Sequence, residues 1–206
     1  MKLVVVLFVV FLNVSFAAPK ETPGAWFGLF HRKDLNDHFS MWGDYQLRYS
    51  MEEGGMQQTL FRFGPLYRIT KRQEIGLLYG FVEFGVKEYR TTFHHQFFVN
   101  PKLSLRSRLE YRNLEDNDDD SLRFRYLIRF LHALRGSTSL LIWEEPFANL
   151  TSDEWTGERS FDRNRFFVGI RFPAFGMDFE AGYLNQFIPR SNRDTMEHLA
   201  LLYVYY

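Results

Sequence analysis

The sequence predicts an all-β protein, an antiparallel up-and-down transmembrane β-barrel of about 10–12 strands. Segments of alternating polarity follow one another along the 206 residues, and the apolar face of most segments is bulky. The connections between segments are short on one side and long on the other. Aromatic residues make up 18% of the chain, so a large apolar surface has to be covered on folding.

The first 17 residues have the features of a secretory signal peptide. Met1 and Lys2 form a positive start, residues 3–12 are apolar, and Ser15-Phe16-Ala17 places small residues before an expected cut after Ala17. The apolar run is too short for a transmembrane helix, which needs about 20 residues. We therefore expect an exported protein whose residues 18–206 form a single barrel domain.

Alternation is clearest in the middle of the chain. Between residues 102 and 112 the even positions are polar and the odd positions mostly apolar. After a turn at 117–120, Arg123 and Arg125 alternate with Phe124, Tyr126 and Ile128. A period of two predicts strands with two unlike faces. Similar segments lie at 38–49, 57–69, 73–84, 89–99, 138–147, 160–172, 176–187 and 195–206.

Residues 26–30 form an eleventh segment whose role the sequence leaves open. It is a strand that closes the barrel, half of a split pair, or an entry segment inside the barrel. The connections at 70–72, 100–101 and 173–174 are tight, whereas those at 114–120, 148–159 and 188–194 are long. This alternation of lengths indicates an up-and-down meander.

Two architectures use such a meander. In a small soluble barrel the apolar faces point inward, whereas in an outer-membrane barrel they meet lipid and the polar faces line the lumen. The aromatic faces are too bulky for one small interior, and Arg, Glu and Gln recur on the opposite faces. These features favour the membrane barrel, with Phe124, Tyr126 and Ile128 facing lipid, and the soluble barrel remains the alternative.

The chain ends at Tyr206 within the apolar, alternating stretch 199–206. This ending resembles the terminal strand of Gram-negative outer-membrane proteins, whose last aromatic residue is read by the barrel-assembly machinery. Tyr206 is therefore the candidate assembly signal. We expect the outer membrane of a Gram-negative bacterium as the location, with outer-membrane lipid and lipopolysaccharide as partners; the oligomeric state is left open.

Several short patterns together resemble the bacterial family catalogued as domain of unknown function 2490. The resemblance covers most of the mature chain and implies an outer-membrane β-barrel without an established activity or catalytic residues. The patterns are Glu88-Tyr89-Arg90 with Gln96, the segment 106–112, Arg123-Phe124-Arg125-Tyr126, Asn164-Arg165 with Gly169, and the segment 182–186 followed by His198.

The polar faces, turned inward, predict a charge ladder in the lumen. The candidate ladder residues are Arg48, Arg62, Arg90, Arg106, Arg108, Glu110, Arg112, Arg123, Arg125, Arg129, Arg165, Glu180 and Gln186. Arg68, Lys102, Arg163 and Arg171 are placed in or near the lumen as well, with Asp44, Glu74, Glu88 and Asp178 as further acidic partners. Because six Arg and one Glu on the segments 106–112 and 123–129 cannot neutralise one another, Glu180 and Asp44 are expected to reach across to them.

Other chemistry finds little support in the sequence. There is no cysteine, and 25 basic residues balance 25 acidic ones, which argues against thiol catalysis and nucleic-acid binding. None of the six His has a compact metal-ligand spacing, so neither a metal nor a cofactor is expected. A barrel-embedded lipid-modifying enzyme stays a minor alternative, with His94, His95 or His198 as its base.

The sequence therefore predicts a barrel without catalytic activity. The leading hypothesis is a narrow pore or binding barrel that favours anionic solutes because its lumen is rich in Arg. The second hypothesis is a structural or adhesive envelope protein whose interior is closed by salt bridges.

Overall fold

The computed structural model describes residues 18–52, 54–115, 117, 120–152 and 159–206. The expected signal peptide, residues 1–17, lies outside the described residues. No helix in the described part of the chain is long and apolar enough to cross a membrane.

The strands are β1 (Lys20–Asp34), β2 (Phe39–Ser50), β3 (Gly55–Thr70), β4 (Gln73–Glu83), β5 (Lys87–Asn100), β6 (Leu103–Leu114), β7 (Asp120–Ala133), β8 (Ser139–Asn149), β9 (Phe161–Ala174), β10 (Met177–Ile188) and β11 (Thr195–Tyr205).

These strands form one closed barrel in which each strand pairs with its neighbours in the sequence. All of the sequential pairs are antiparallel, which confirms the predicted all-β meander of about 10–12 strands. Each of the described strands is thus paired with a neighbour on both sides.

The segment 26–30, whose role was open, belongs to β1 and closes the barrel. β1 pairs antiparallel with β2 and parallel with β11, with Lys20 opposite Thr195 and Phe30 opposite Tyr205. A parallel closure is the geometric consequence of an odd number of alternating strands. It places the start of β1 and the end of β11 at opposite ends of the barrel.

The two ends of the barrel differ in their connections. The long-loop end carries the start of β1 and the connections 51–54, 84–86, 115–119, 150–160 and 189–194, whereas the short-turn end carries the connections 35–38, 71–72, 101–102, 134–138 and 175–176 together with Tyr206. Pro173 and Ala174, predicted as a turn, instead end β9. The hairpin turn is Phe175-Gly176, where φ values of 53° and 75° give the left-handed backbone that a two-residue hairpin requires.

The outer wall of the barrel is apolar and aromatic, as the alternation predicts. Phe124, on β7, is exposed on the outside, while its neighbours Arg123 and Arg125 are buried inside. Exposed residues of the same kind are Phe39, Tyr45, Tyr49, Phe61, Phe63, Tyr67, Leu77, Tyr79, Phe93, Leu109, Tyr111, Phe166, Val168, Ile170, Tyr183 and Leu202. This wall has the composition of a surface that does not face water.

The interior is not polar all the way round, and here the prediction is wrong. β1 and β7–β11 contribute an apolar cluster to the inside of the barrel. Its members are Trp26, Leu127, Leu141, Trp143, Phe167, Leu184, Leu199 and Leu201. The Phe167 ring packs directly against Gly182 on the next strand, where a Cβ would come within 2.9 Å of Phe167 Cζ. The lumen therefore contains an apolar cluster beside its charged side chains.

Candidate functional site

The predicted ladder lies in the interior of the barrel. The following ladder residues are buried within the barrel: Arg62, Arg90, Arg108, Glu110, Arg112, Arg123, Arg125, Arg165, Glu180 and Gln186. Arg48, Arg106 and Arg129 are less deeply buried and line the space between these residues. The polar faces of β2–β7 thus bring most of the basic side chains of the interior together.

Two carboxylates on β5 and β6 each hold a pair of arginines. Glu110 accepts hydrogen bonds from Arg123 Nη2 at 2.6 Å and from Arg125 Nη1 at 2.7 Å. Glu88 accepts from Arg90 Nε at 2.5 Å and from Arg112 Nε at 2.6 Å. Because these carboxylates are buried, the hydrogen-bonded arginines compensate for the lost hydration.

Glu145, which sequence reasoning did not place in the lumen, links three arginines. Its carboxylate accepts from Arg106 at 2.8 Å and Arg125 at 2.9 Å, and lies 3.7 Å from Arg165. On β8 Leu141, Trp143 and Phe147 also point inward, so both faces of the strand are largely apolar. The polarity pattern therefore could not show which of two consecutive glutamates faces the lumen.

Asp162 also joins the interior network. Phe161 and Arg163 pair with consecutive residues of β8, which leaves Asp162 as the extra residue of a β-bulge. Such a bulge redirects a side chain, and the Asp162 carboxylate accepts from Arg123 at 3.1 Å and Arg163 at 3.0 Å. The alternation does not show where a bulge lies, so it could not have selected this residue.

Of the two acidic residues expected to reach the segments 106–112 and 123–129, Glu180 does so and Asp44 does not. Glu180 accepts a hydrogen bond from Arg129, across the lumen from β7 to β10, as expected. Asp44 does not reach the segments 106–112 and 123–129; it pairs instead with Arg62 on the adjacent strand, at 2.8 Å. At the short-turn end Arg171 pairs with Asp178, and Glu74 pairs with Arg32.

Two interior arginines have no carboxylate partner among the described residues. Arg108, 2% exposed, donates from Nε to His94 Nδ1 at 3.2 Å. Arg48 donates to the Gln58 side chain, and its guanidinium lies 4.1 Å from the centre of the Trp26 ring. Cation–π contact offsets part of the charge, but positive charge remains in excess inside the barrel.

An arginine-lined cavity of the interior opens towards the long-loop end, and we call it the vestibule. Its volume is about 420 Å³. Eight arginines and two glutamates line it, together with polar and aromatic side chains. The charged lining residues are Arg48, Arg90, Arg112, Arg123, Arg125, Arg163, Arg165, Arg190, Glu88 and Glu197.

Two further cavities follow the vestibule along the lumen. The central chamber, about 90 Å³, is lined by Arg48, Arg62, Arg106, Arg108, Arg125, Arg129, Arg165, Glu145 and Glu180 among others. The lower basin, about 560 Å³ at the short-turn end, has Lys71, Arg72, Lys102, Arg129 and Arg171 as its charged lining. Lys102, expected in or near the lumen, is an exposed turn residue at the rim of this basin. Arg68 lies at the same end, where it donates to the Asp37 carbonyl.

The three candidate histidines lie apart from one another. His94 is inside the barrel, whereas His95 and His198 are on the outer wall. Ser107 lies opposite His95 in register, but no hydrogen bond joins their side chains. His198 Nδ1 contacts the Tyr183 hydroxyl at 2.5 Å. No group of three or more metal-ligating side chains is found in the described residues.

Tyr206 follows the last strand at the short-turn end. Its backbone N–H donates to the Phe30 carbonyl at 3.1 Å, and its ring lies 4.7 Å from that of His31. The last residue is thus attached to β1, across the parallel closure of the barrel.

The fold and the site define a closed β-barrel with an arginine-rich interior. Its sequence matches the family described as "Protein of unknown function (DUF2490)" over residues 23–197. The chain belongs to this family, as the short patterns in the sequence suggested.

Two other similarities are found. An uncharacterised protein of Methylorubrum extorquens is 37% identical over 93 residues, which are 43% of this chain and 41% of that protein. The chain thus matches less than half the length of that relative. A solved structure described as a bacterial polysaccharide outer membrane secretin has 14% sequence identity and a TM-score of 0.47, with 83% of this chain and 64% of that chain covered.

Proposed function

We propose that this protein is an outer-membrane β-barrel without catalytic activity that binds a small anionic solute in its vestibule. The aromatic outer wall supports the location, because exposed Phe, Tyr and Leu side chains on nearly every strand are suited to lipid. The parallel closure supports it too, since a wall without edges satisfies the backbone in a lipid environment.

The excess of arginine in the vestibule carries the proposal for binding. Among the described residues, eight arginines and two glutamates line a cavity of about 420 Å³, and ligand sites typically measure about 300–1,000 Å³. Of these arginines, Arg48 has no carboxylate partner among the described residues, where it donates to the Gln58 side chain. An anion in the vestibule would neutralise charge that the described residues do not neutralise.

The lining also indicates the chemistry of the solute. A guanidinium group presents N–H donors in a planar fork that matches phosphate and carboxylate oxygens. Trp26 and Phe147 lie at the inner side of the vestibule, with several guanidinium groups over their rings. These contacts hold the arginine side chains in place before an anion arrives. We therefore propose phosphate- or carboxylate-bearing solutes as the ligand class.

Calorimetric titration of the refolded barrel in detergent with inorganic pyrophosphate tests this proposal. We expect binding that weakens as salt is added, because added ions screen the arginines. Arg48→Gln should weaken it about tenfold, which corresponds to about 1.4 kcal/mol. Arg135→Gln, in the exposed turn after β7 at the opposite end, is the matched control and should leave the affinity unchanged.

A second function is favoured by the packing of the interior. The apolar cluster and the ion pairs fill much of the barrel, as in a structural envelope protein whose interior is closed. Absence of pyrophosphate binding by the folded wild-type protein would reject the binding barrel and leave this structural role.

A further inference from the structure

The three interior cavities form a series along the lumen. Arg48, Arg125 and Arg165 line both the vestibule and the central chamber. Arg129 lines both the central chamber and the lower basin. Each cavity therefore shares arginine side chains with the next.

One cross-lumen contact lies between the central chamber and the lower basin. Arg129 extends from β7 and donates to Glu180 on β10, although β8 and β9 lie between these strands in the barrel wall. The Tyr205 hydroxyl donates to the other oxygen of Glu180 at 3.0 Å. Glu180 thus holds Arg129 across the lumen, and we call this contact the Arg129–Glu180 latch.

The central chamber has its own uncompensated charge. Seven arginines and two glutamates line it. Arg108 is almost fully buried there and has only the neutral acceptor His94 Nδ1 as a side-chain hydrogen-bond partner among the described residues. A buried guanidinium without a counter-charge is unfavourable. An anion in the chamber would supply that charge.

We propose that the lumen is a permeation route for small oxyanions, in which Arg108 holds the anion in the central chamber and the Arg129–Glu180 latch closes the exit. This inference rests on the proposed function, because the anion enters from the vestibule. The lower basin continues the route, since its charged lining consists of five basic side chains. The chamber, at about 90 Å³, limits passage to anions of the size of inorganic phosphate.

Release of the latch needs only a side-chain movement. When Arg129 leaves Glu180, it can turn into the lower basin that it already lines. The backbone pairing of β7 with its neighbours need not change. Weakening the hold of Glu180 on Arg129 should therefore increase permeation.

Phosphate efflux from proteoliposomes tests the route. Vesicles loaded with inorganic phosphate would contain the wild-type protein, Glu180→Gln, Tyr205→Phe or Arg108→Gln. We expect at least a fivefold faster efflux for the two latch variants than for the wild type. Adding Arg108→Gln to a latch variant should reduce its efflux about tenfold. Arg135→Gln, whose side chain lines none of the three cavities, is the control and should match the wild type.

Tyr205→Phe serves as the second test because it changes no charge and removes only one hydroxyl. Heat-modifiable migration on gels shows whether each variant is folded. If folded latch variants release phosphate no faster than the wild type, the permeation route is rejected. If pyrophosphate still binds to the vestibule of these variants, only the permeation route is rejected and the binding function stands. If pyrophosphate does not bind to the folded protein, both proposals fail.

Discussion

The carboxylate of Glu110 lies 2.7 Å from the guanidinium of Arg125 on the adjacent strand, and both side chains are buried inside the barrel. Arg125 in turn donates to Glu145, so this ion pair links two carboxylates from two different strands. These ion pairs join β6, β7 and β8 through their side chains. They also make the network sensitive to the loss of a single charge.

Glu110→Gln should destabilise the barrel by about 3–5 kcal/mol, because a buried ion pair that loses one partner leaves the other charge uncompensated. Urea unfolding in lipid vesicles measures the free energy of unfolding. Glu21→Gln, on the exposed start of β1, is the control and should change it by less than about 0.5 kcal/mol. Unchanged stability of Glu110→Gln would mean that water or ions already compensate these arginines in an open lumen.

Tyr126→Arg should cost about 2–4 kcal/mol if the residue lies near the bilayer midplane, because the outer wall faces lipid. Tyr126 is on the outer face of β7, between the exposed Phe124 and the partly buried Ile128. Tyr126→Phe is the control and should be close to neutral. The comparison uses unfolding in vesicles, and equal stability of the two variants would contradict the proposed location. Arg125→Leu is not a neutral comparison, because it also deprives Glu110 and Glu145 of a partner.

Alternation was sufficient to predict most of the fold. On β6 and β7 the inward and outward positions follow the polarity of the residues, from Arg108 and Glu110 to Phe124. On β8–β11 the inward faces mix charged residues such as Glu145 with apolar ones, and Leu184 and Leu199 point inward although their side chains would also suit lipid. Polarity assigns a residue to a face only when the two faces differ, and at these apolar positions they do not.

The remaining errors about the site have local causes. Asp162 enters the network through a bulge, which shifts the phase of the alternation at one residue only. Asp44 pairs with Arg62 because the two are directly opposite each other on β2 and β3, a contact that requires the register of the strands. Neither the position of a bulge nor a register can be read from a pattern of period two.

Glu144 and Glu145 give a direct test of the face assignment on β8. Glu145 faces the arginines of the lumen, whereas Glu144 is on the outer face, where its carboxylate accepts from Asn164 at 2.9 Å. Glu145→Gln should therefore destabilise the barrel by about 3–5 kcal/mol. Glu144→Gln should have a much smaller effect, because the Gln carbonyl can still accept from Asn164. Unfolding free energies in the reverse order would show that the two glutamates are assigned to the wrong faces.

The odd number of strands leads to the last prediction, which concerns the orientation of the barrel in the membrane. The start of β1 and the loops 150–160 and 189–194 share the long-loop end, and Tyr206 is at the opposite end. Long loops of outer-membrane barrels are extracellular and short turns periplasmic, so the vestibule should open to the cell surface and β1 should begin there.

Because the chain has no cysteine, single substitutions can report this orientation. Ser191→Cys, in the loop before β11, and Glu21→Cys, at the start of β1, should react with a membrane-impermeant maleimide on intact cells. Ser137→Cys, in the turn after β7, is the matched comparison and should react only after the cells are lysed. Labelling of Ser137→Cys alone on intact cells would reverse the orientation, so that solutes would reach the vestibule from the periplasm. Labelling of Ser191→Cys without Glu21→Cys would contradict the parallel pairing of β1 with β11, since that pairing requires both residues to lie at the same end.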